Sequence, residues 1–228
     1  GVKKAKGDYV IFLDSDDLLS VSCLENRIKE FNQNKECDFL VFQMQRFLNK
    51  PDLSKETNEV EQDKNKILES FINLHGQWPI TAPIYKTEFF KFIEFNPNLV
   101  VFEDLEAAIK AIVLAKNFKI FTKIDCYYRN DENYKTKYTS IGVKTKMVKG
   151  FQNLIESLVV LIDNNSEEQY KNIDIKKYLI QSYKNFFRYT ILENSKAFKK
   201  DNKRLLYLLM KHNLLNNKET FNFFFVDR

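Results

Sequence analysis

Glycine and proline are scarce, with five and four in 228 residues. That excludes a collagen-like chain, a Pro/Gly-rich low-complexity segment and a turn-dense all-β sandwich. Cys23, Cys37 and Cys126 form an odd, scattered set with no Cys-x-x-Cys spacing. They read as free thiols of a reducing compartment, neither a disulfide frame nor a zinc site. Arginine supplies only six of the 36 basic residues. Surfaces that read phosphates usually use arginine forks, so nucleic acid is not an expected partner. No apolar run approaches the ~18 residues of a membrane span, and the first residues show no signal-peptide core.

What the chain has is lysine, asparagine and phenylalanine, an abundance that reads as AT-rich coding. With 44% hydrophobic and 29% charged residues and a net charge of +5, it resembles an ordinary folded protein. The length suits one full domain, or a domain with a helical appendage.

The opening Gly1 to Gly7 reads as the last turn of a helix, with Gly7 closing it. Asp8 to Leu13 (DYVIFL) reads as a continuous apolar strand buried on both faces in a parallel sheet. Ser20 or Ser22 is placed to cap a helix over 23–34, with Leu24, Ile28 and Phe31 on its inner face. A short strand is expected over 38–43 and a polar surface excursion over 49–66. A short helix at 66–74, extended chain at 80–85 and a helix at 86–92 capped by Thr87 follow. The helix expected over 105–116 has Leu105, Ala108, Ile109, Ile112 and Val113 on one face. A strand over 118–124 leads to Tyr127-Tyr128-Arg129. From about residue 145 three helical patterns follow, at 145–163, 167–195 and 199–213. No fixed-period repeat occurs. The organisation is therefore an α/β portion over 1–143 and a helical extension over 144–228.

Chemistry concentrates in two acidic clusters. Asp14-Ser15-Asp16-Asp17 sits at the carboxyl end of an apolar strand, where open α/β sheets bind ligands. Three carboxylates so close repel one another unless a cation or hydrogen-bond donors offset their charge. A hard divalent ion such as Mg²⁺ or Mn²⁺ takes such oxygens and shares itself with phosphates. An isolated Asp/Ser run is as readily a solvated turn; the flanking apolar strand and Leu18-Leu19 favour the functional reading. Glu103-Asp104 opens a helix, where the dipole alone would favour carboxylates.

In this order the motifs resemble the family 2 glycosyltransferases of GT-A fold. Ala5 to Asp17 (AKGDYVIFLDSDD) is similar to that family's strand and acidic motif. Trp78 to Phe90 (WPITAPIYKTEFF) is similar to its segment before the catalytic loop. Phe102 to Leu105 is similar to its Glu-Asp motif, and Tyr127-Tyr128-Arg129 followed by Ser140-Ile141 to its closing segment. The match covers roughly 1–142. It implies a GT-A-type, Rossmann-like mixed sheet and an inverting transfer from a nucleotide-diphosphate sugar to a hydroxyl of a glycan or lipid-linked acceptor, in cell-envelope polysaccharide synthesis. It further implies Asp16 on a Mg²⁺ or Mn²⁺ that bridges the diphosphate, Asp14 beside the ribose and near the metal, and Asp17 supporting the metal. Asp104 would be the general base, with Glu103 orienting the site. Arg129 is open between pairing with the diphosphate and a structural salt bridge. Trp78 is open between an acceptor platform and core packing.

Two departures accompany the resemblance. The family often places a histidine metal ligand in its closing segment; here His75 and His212 lie elsewhere, leaving Asp131, Asn133 or Ser140 as substitutes. The family's nucleotide-binding half, two βαβ units, is also expected before Gly1, so the chain reads as N-terminally truncated, with little activity alone. Two other readings compete. A haloacid-dehalogenase-type phosphatase also opens on strand-Asp-x-Asp, but Asp17-Leu18 replaces the expected turn and no Gly-Asp-x-x-x-Asp follows. A non-catalytic helical interaction module would use Phe186, Phe187, Phe198 and Phe221 to Phe225, with Lys199, Lys200, Lys203 and Arg204, against a partner or anionic lipid; the alternative is that these aromatics cover the catalytic domain. The expected location is cytoplasmic, with peripheral contact at the inner membrane face.

Overall fold

The computed structural model describes residues 1–55, 57–130, 141–164, 175–191 and 195–215. It divides into two units. The first holds Gly1–Leu68, Gly76–Phe95 and the described part of Ala107–Lys135. The second holds Glu69–His75, Asn96–Glu106 and the described part of Thr136–Arg228. The second unit thus takes in two segments upstream of residue 143.

The first unit is a mixed five-stranded sheet. Its strands are β1 (Tyr9–Val10), β2 (Leu18–Leu19), β3 (Phe39–Phe47), β4 (Pro83–Lys86) and β5 (Phe118–Arg129), in the order β1-β4-β3-β5-β2. Only β3 and β5 run parallel; the other three pairings are antiparallel. Helix α1 (Cys23–Gln33) precedes β3, α2 (Lys64–Ile72) follows it, and α3 (Thr87–Ile93) continues from β4. Helix α4 (Glu103–Leu114) precedes β5.

The central strands are buried because both faces carry large apolar side chains. Leu40, Phe42 and Ile84 pack with Phe31 of α1 and with Cys37, and Tyr9, Ile11 and Phe121 lie against this cluster. Cross-strand partners Phe39 and Phe118 stack at 4.7 Å, and Phe42 stacks on Phe121 at 4.9 Å. Aromatic pairs of this kind stabilise by about 0.5–1.5 kcal/mol beyond their burial.

Four local expectations are corrected. The strand expected over 8–13 pairs only at Tyr9–Val10, antiparallel to β4 at the sheet edge. Beyond Val10 the apolar residues serve tertiary packing instead: Ile11 joins the core cluster, Phe12 meets Phe90 and Phe95, and Leu13 is exposed. Gly7 does not close a helix with a left-handed residue; a 3-10 turn at Val2–Lys4 ends on an extended Ala5. Thr87 is not the cap of α3, which is Lys86; its hydroxyl donates to the Gly7 carbonyl and its N–H to that of Asp8. The inner face of α1 is Cys23, Arg27 and Phe31, while Leu24 and Ile28 are exposed. That helix turns Arg27 inward, onto the buried carboxylate of Asp125.

The second unit is mainly helical: α5 (Ile141–Asn164), α6 (Ile175–Phe186), a π-helical turn (Phe187–Ile191) and α7 (Ser195–Lys211). Phe151 of α5 stacks on Phe186 of α6 at 4.1 Å, and the Tyr183 hydroxyl donates to Asn202 Oδ1 of α7 at 2.7 Å. Phe186, Phe187 and Phe198 are buried, so these three rings are not an exposed docking surface. Phe221 to Phe225 lie outside the described residues. No helix among the described residues is long and apolar enough to cross a membrane.

Candidate active site

The acidic run forms the turn between β1 and β2, closed by the Asp17 N–H donating to the Asp14 carbonyl at 3.1 Å. Strand β2 then pairs with Cys126 and Tyr127 of β5, which brings the end of β5 beside the turn. The Arg129 N–H donates to Asp17 Oδ1 at 2.9 Å, and the Thr81 hydroxyl donates to Oδ2 at 3.3 Å. Asp17 is therefore buried with both oxygens engaged, while Asp14 and Asp16 are exposed. Burial pushes the Asp17 carboxyl up, and the charges of Asp14 and Asp16 add to this; the bonds from Arg129 and Thr81 oppose it.

Arg129 braces the same turn. Its Nε donates to the Asp16 carbonyl at 2.9 Å, and its guanidinium lies over the Phe47 ring, 4.6 Å from the centroid. The side chain expected to pair with a diphosphate or an acidic partner is thus engaged with the backbone that carries Asp16.

Behind the turn is a buried ion pair. Arg27 donates through Nε and Nη2 to the two carboxylate oxygens of Asp125, at 2.8 and 2.6 Å, with both side chains fully buried. Desolvation opposes the Arg27 charge, but the bidentate bond and attraction of Asp125 outweigh it. Its Nη1 donates to the Thr81 carbonyl at 3.0 Å. Arg27 thus holds the backbone of the residue whose hydroxyl holds Asp17. The Asp125 carbonyl accepts the Ser20 N–H at 2.9 Å, fixing the exit from β2. Burial also pushes the Cys23 and Cys126 thiols up to about 12, so they are packing groups and not nucleophiles. All three cysteines are free and buried.

Trp78 is half-buried in the same unit, three residues before Thr81. Glu103 and Asp104 belong to the second unit and open α4, both exposed. The Leu105 N–H donates to Asp104 Oδ1 at 2.7 Å. The preceding Phe102 has φ of 70°, a left-handed conformation unusual for a bulky residue. One turn on, buried Glu106 accepts a hydrogen bond from Ser157. Asp131, Asn133 and Ser140 lie outside the described residues.

The structure thus brings Asp14, Asp16, Asp17 and Arg129 together within the first unit. Thr81, Arg27 and Asp125 were not singled out from the sequence. Arg27 has one signal there, its i, i+4 spacing with Cys23 and Phe31 along α1; Asp125 has another, as a carboxylate that interrupts an apolar strand.

Residues 1–91 match the family model described as glycosyl transferase family 2. No curated protein sequence matches the chain. Among solved structures, the chain is similar to S. aureus TarS 1–349, with 17% identity, 91% of this chain covered and a TM-score of 0.59. It is similar to the same protein in complex with UDP at 18% identity, 91% coverage and a TM-score of 0.60. The complex with UDP-GlcNAc gives 17%, 92% and 0.57. The chain spans 58% of the length of each of these structures.

Proposed function

We propose that the protein acts in the transfer of a sugar from a nucleotide-diphosphate donor to a hydroxyl acceptor, with inversion; the match of residues 1–91 to the glycosyl transferase family 2 model and a fold similar to part of the GT-A architecture support this reading. The observation that carries this reading is the braced turn within the matched segment, which presents Asp14 and Asp16 to solvent while Asp17 is held inside. The TarS structures with UDP and UDP-GlcNAc make a uridine nucleotide the first donor to test.

The donor set fits a divalent cation of the Mg²⁺ or Mn²⁺ type. Such ions take one or two carboxylates and complete their shell with phosphate oxygens and water. Asp14 and Asp16 are the carboxylates available, and no group of three or more His, Cys, Asp or Glu among the described residues forms a protein-only cage. When bound, the cation would neutralise charge developing on the diphosphate leaving group. Asp16 would hold it, with Asp14 toward the ribose, and Asp17 would fix the turn that aims them. Asp104, exposed on the first turn of α4, would accept the acceptor hydroxyl's proton, with Glu103 beside it orienting the acceptor. A single displacement of this kind needs no covalent intermediate. Trp78 offers an apolar ring for a sugar face.

The test separates donor binding from chemistry. Titration of UDP in Mn²⁺ should show binding that is lost in Asp16→Asn and kept in Asp104→Asn. Sugar transfer should fail in both. Metal-independent UDP binding that survives Asp16→Asn would overturn the assignment.

A further inference from the structure

The described residues of α6, the π-helical turn and α7, 175–191 and 195–215, contain ten basic residues and one acidic residue, Asp201, a net charge of +9. The whole chain is only +5, so everything outside these segments sums to −4. AT-rich coding raises the amount of lysine but does not segregate it. The placement is also ordered. On α7 the buried side is Phe198, Leu205, Leu206 and Leu209. At 100° per residue, Lys196, Lys200, Lys203 and Lys211 fall on the opposite side with exposed Tyr207 among them, and Lys199 lies on its flank; all five lysines are exposed. The stripe runs ~22 Å, from Lys196 to Lys211. No carboxylate among the described residues pairs with Lys199, Lys200 or Lys203. Asp201, the only acid on the helix, faces α5, where its carbonyl and Oδ1 both accept from Gln152 Nε2.

We infer that this face of α7 is a docking surface for an anionic lipid bilayer. Charge complementarity carries the choice. Lysine point charges along a helix suit a diffuse layer of anionic headgroups, whereas the forks that read individual phosphates come from arginine. The apolar side of α7 is occupied by its own unit, so binding is electrostatic and peripheral, with Tyr207 suited to the headgroup level and no inserted apolar face. The inference is independent of the transferase reading.

The experiment is co-sedimentation of the full chain with vesicles of phosphatidylglycerol and phosphatidylcholine in equal parts, and with phosphatidylcholine alone. Binding is expected to the anionic vesicles only, and to fall steeply as salt is raised. The triple variant Lys199→Gln, Lys200→Gln, Lys203→Gln should bind about a hundredfold more weakly, roughly fivefold per lysine. Asp16→Asn should bind as the parent does. No binding to anionic vesicles at low salt, equal binding to neutral ones, or an unchanged triple variant overturns the inference. Retention on heparin without vesicle binding also overturns it, in favour of a soluble polyanion.

Discussion

Thr81 holds Asp17 from one side and is itself held from the other. Its hydroxyl donates to Asp17 Oδ2 at 3.3 Å, and its carbonyl accepts from Arg27 Nη1 at 3.0 Å. A residue in the loop before β4 thereby couples the acidic turn to the buried ion pair. Thr81→Val keeps the shape and removes the donor. A net hydrogen bond contributes about 0.5–1.5 kcal/mol, more when an acceptor is charged. We expect a stability loss of about 1 kcal/mol and weaker Mn²⁺-dependent UDP binding, with Thr81→Ser restoring both. Unchanged binding in Thr81→Val would show that the hydroxyl does not help to set the turn.

The pH dependence of the turn follows from Asp17. Its carboxyl is raised above the ordinary value by burial and by Asp14 and Asp16. A group raised in the fold contributes stability that is fully present below its unfolded pKa and is lost as pH rises through the folded value. Asp17→Asn removes that titration. The amide oxygen can accept from Arg129 N–H and the amide nitrogen can donate to the Thr81 oxygen. The variant should therefore gain on the parent as pH rises from the acid side of the carboxylate range to neutrality. Urea denaturation of both proteins across that range measures the difference; a constant offset contradicts it.

The Arg27–Asp125 pair is fully buried and bidentate. Removing one partner leaves an uncompensated charge, at a cost of about 3–5 kcal/mol. Arg27→Met and Asp125→Leu should each destabilise by that order, and the double variant should recover much of the loss. Because Arg27 Nη1 also holds the Thr81 carbonyl, even a well-folded double variant should bind UDP more weakly than the parent. A double-mutant cycle by chemical denaturation, with UDP titration on the same proteins, separates the two effects.

The legible parts of this chain were those with a local pattern. The amphipathic helix behind Glu103 reappears as an element, as do the three C-terminal helical patterns over their described residues; 167–174 and 192–194 lie outside these. Long-range choices were not legible. A charged residue on α1 reads as solvated, which assigns Leu24 and Ile28 to the inner face, whereas Asp125, 98 residues away, draws Arg27 inside in their place. Thr81 looked like one polar residue in an extended stretch because its partners, Asp17 and Arg27, come from distant segments. The apolar run after Asp8 fitted a central strand, yet an edge position with one partner leaves only two residues in the ladder.

The backbone that leads into Glu103 and Asp104 packs closely on α5. Gly150 of α5 lies against Val101 and Phe102. A Cβ there would collide with the Val101 side chain and approach the Val101 carbonyl oxygen to 3.2 Å and Phe102 Cδ2 to 3.2 Å. Phe102 is already left-handed, so it has little freedom to yield without moving the first turn of α4. Gly150→Ala gains helix propensity of about 1 kcal/mol but forces an overpacking cost of about 1–3 kcal/mol. The net expectation is a modest loss of thermal stability, with transfer reduced and UDP binding retained, because the acidic turn belongs to the other unit. Gly150→Ser should behave alike, since both add the same Cβ. Loss of UDP binding in parallel with transfer would mean that the substitution acts through global unfolding and not through the Glu103–Asp104 turn.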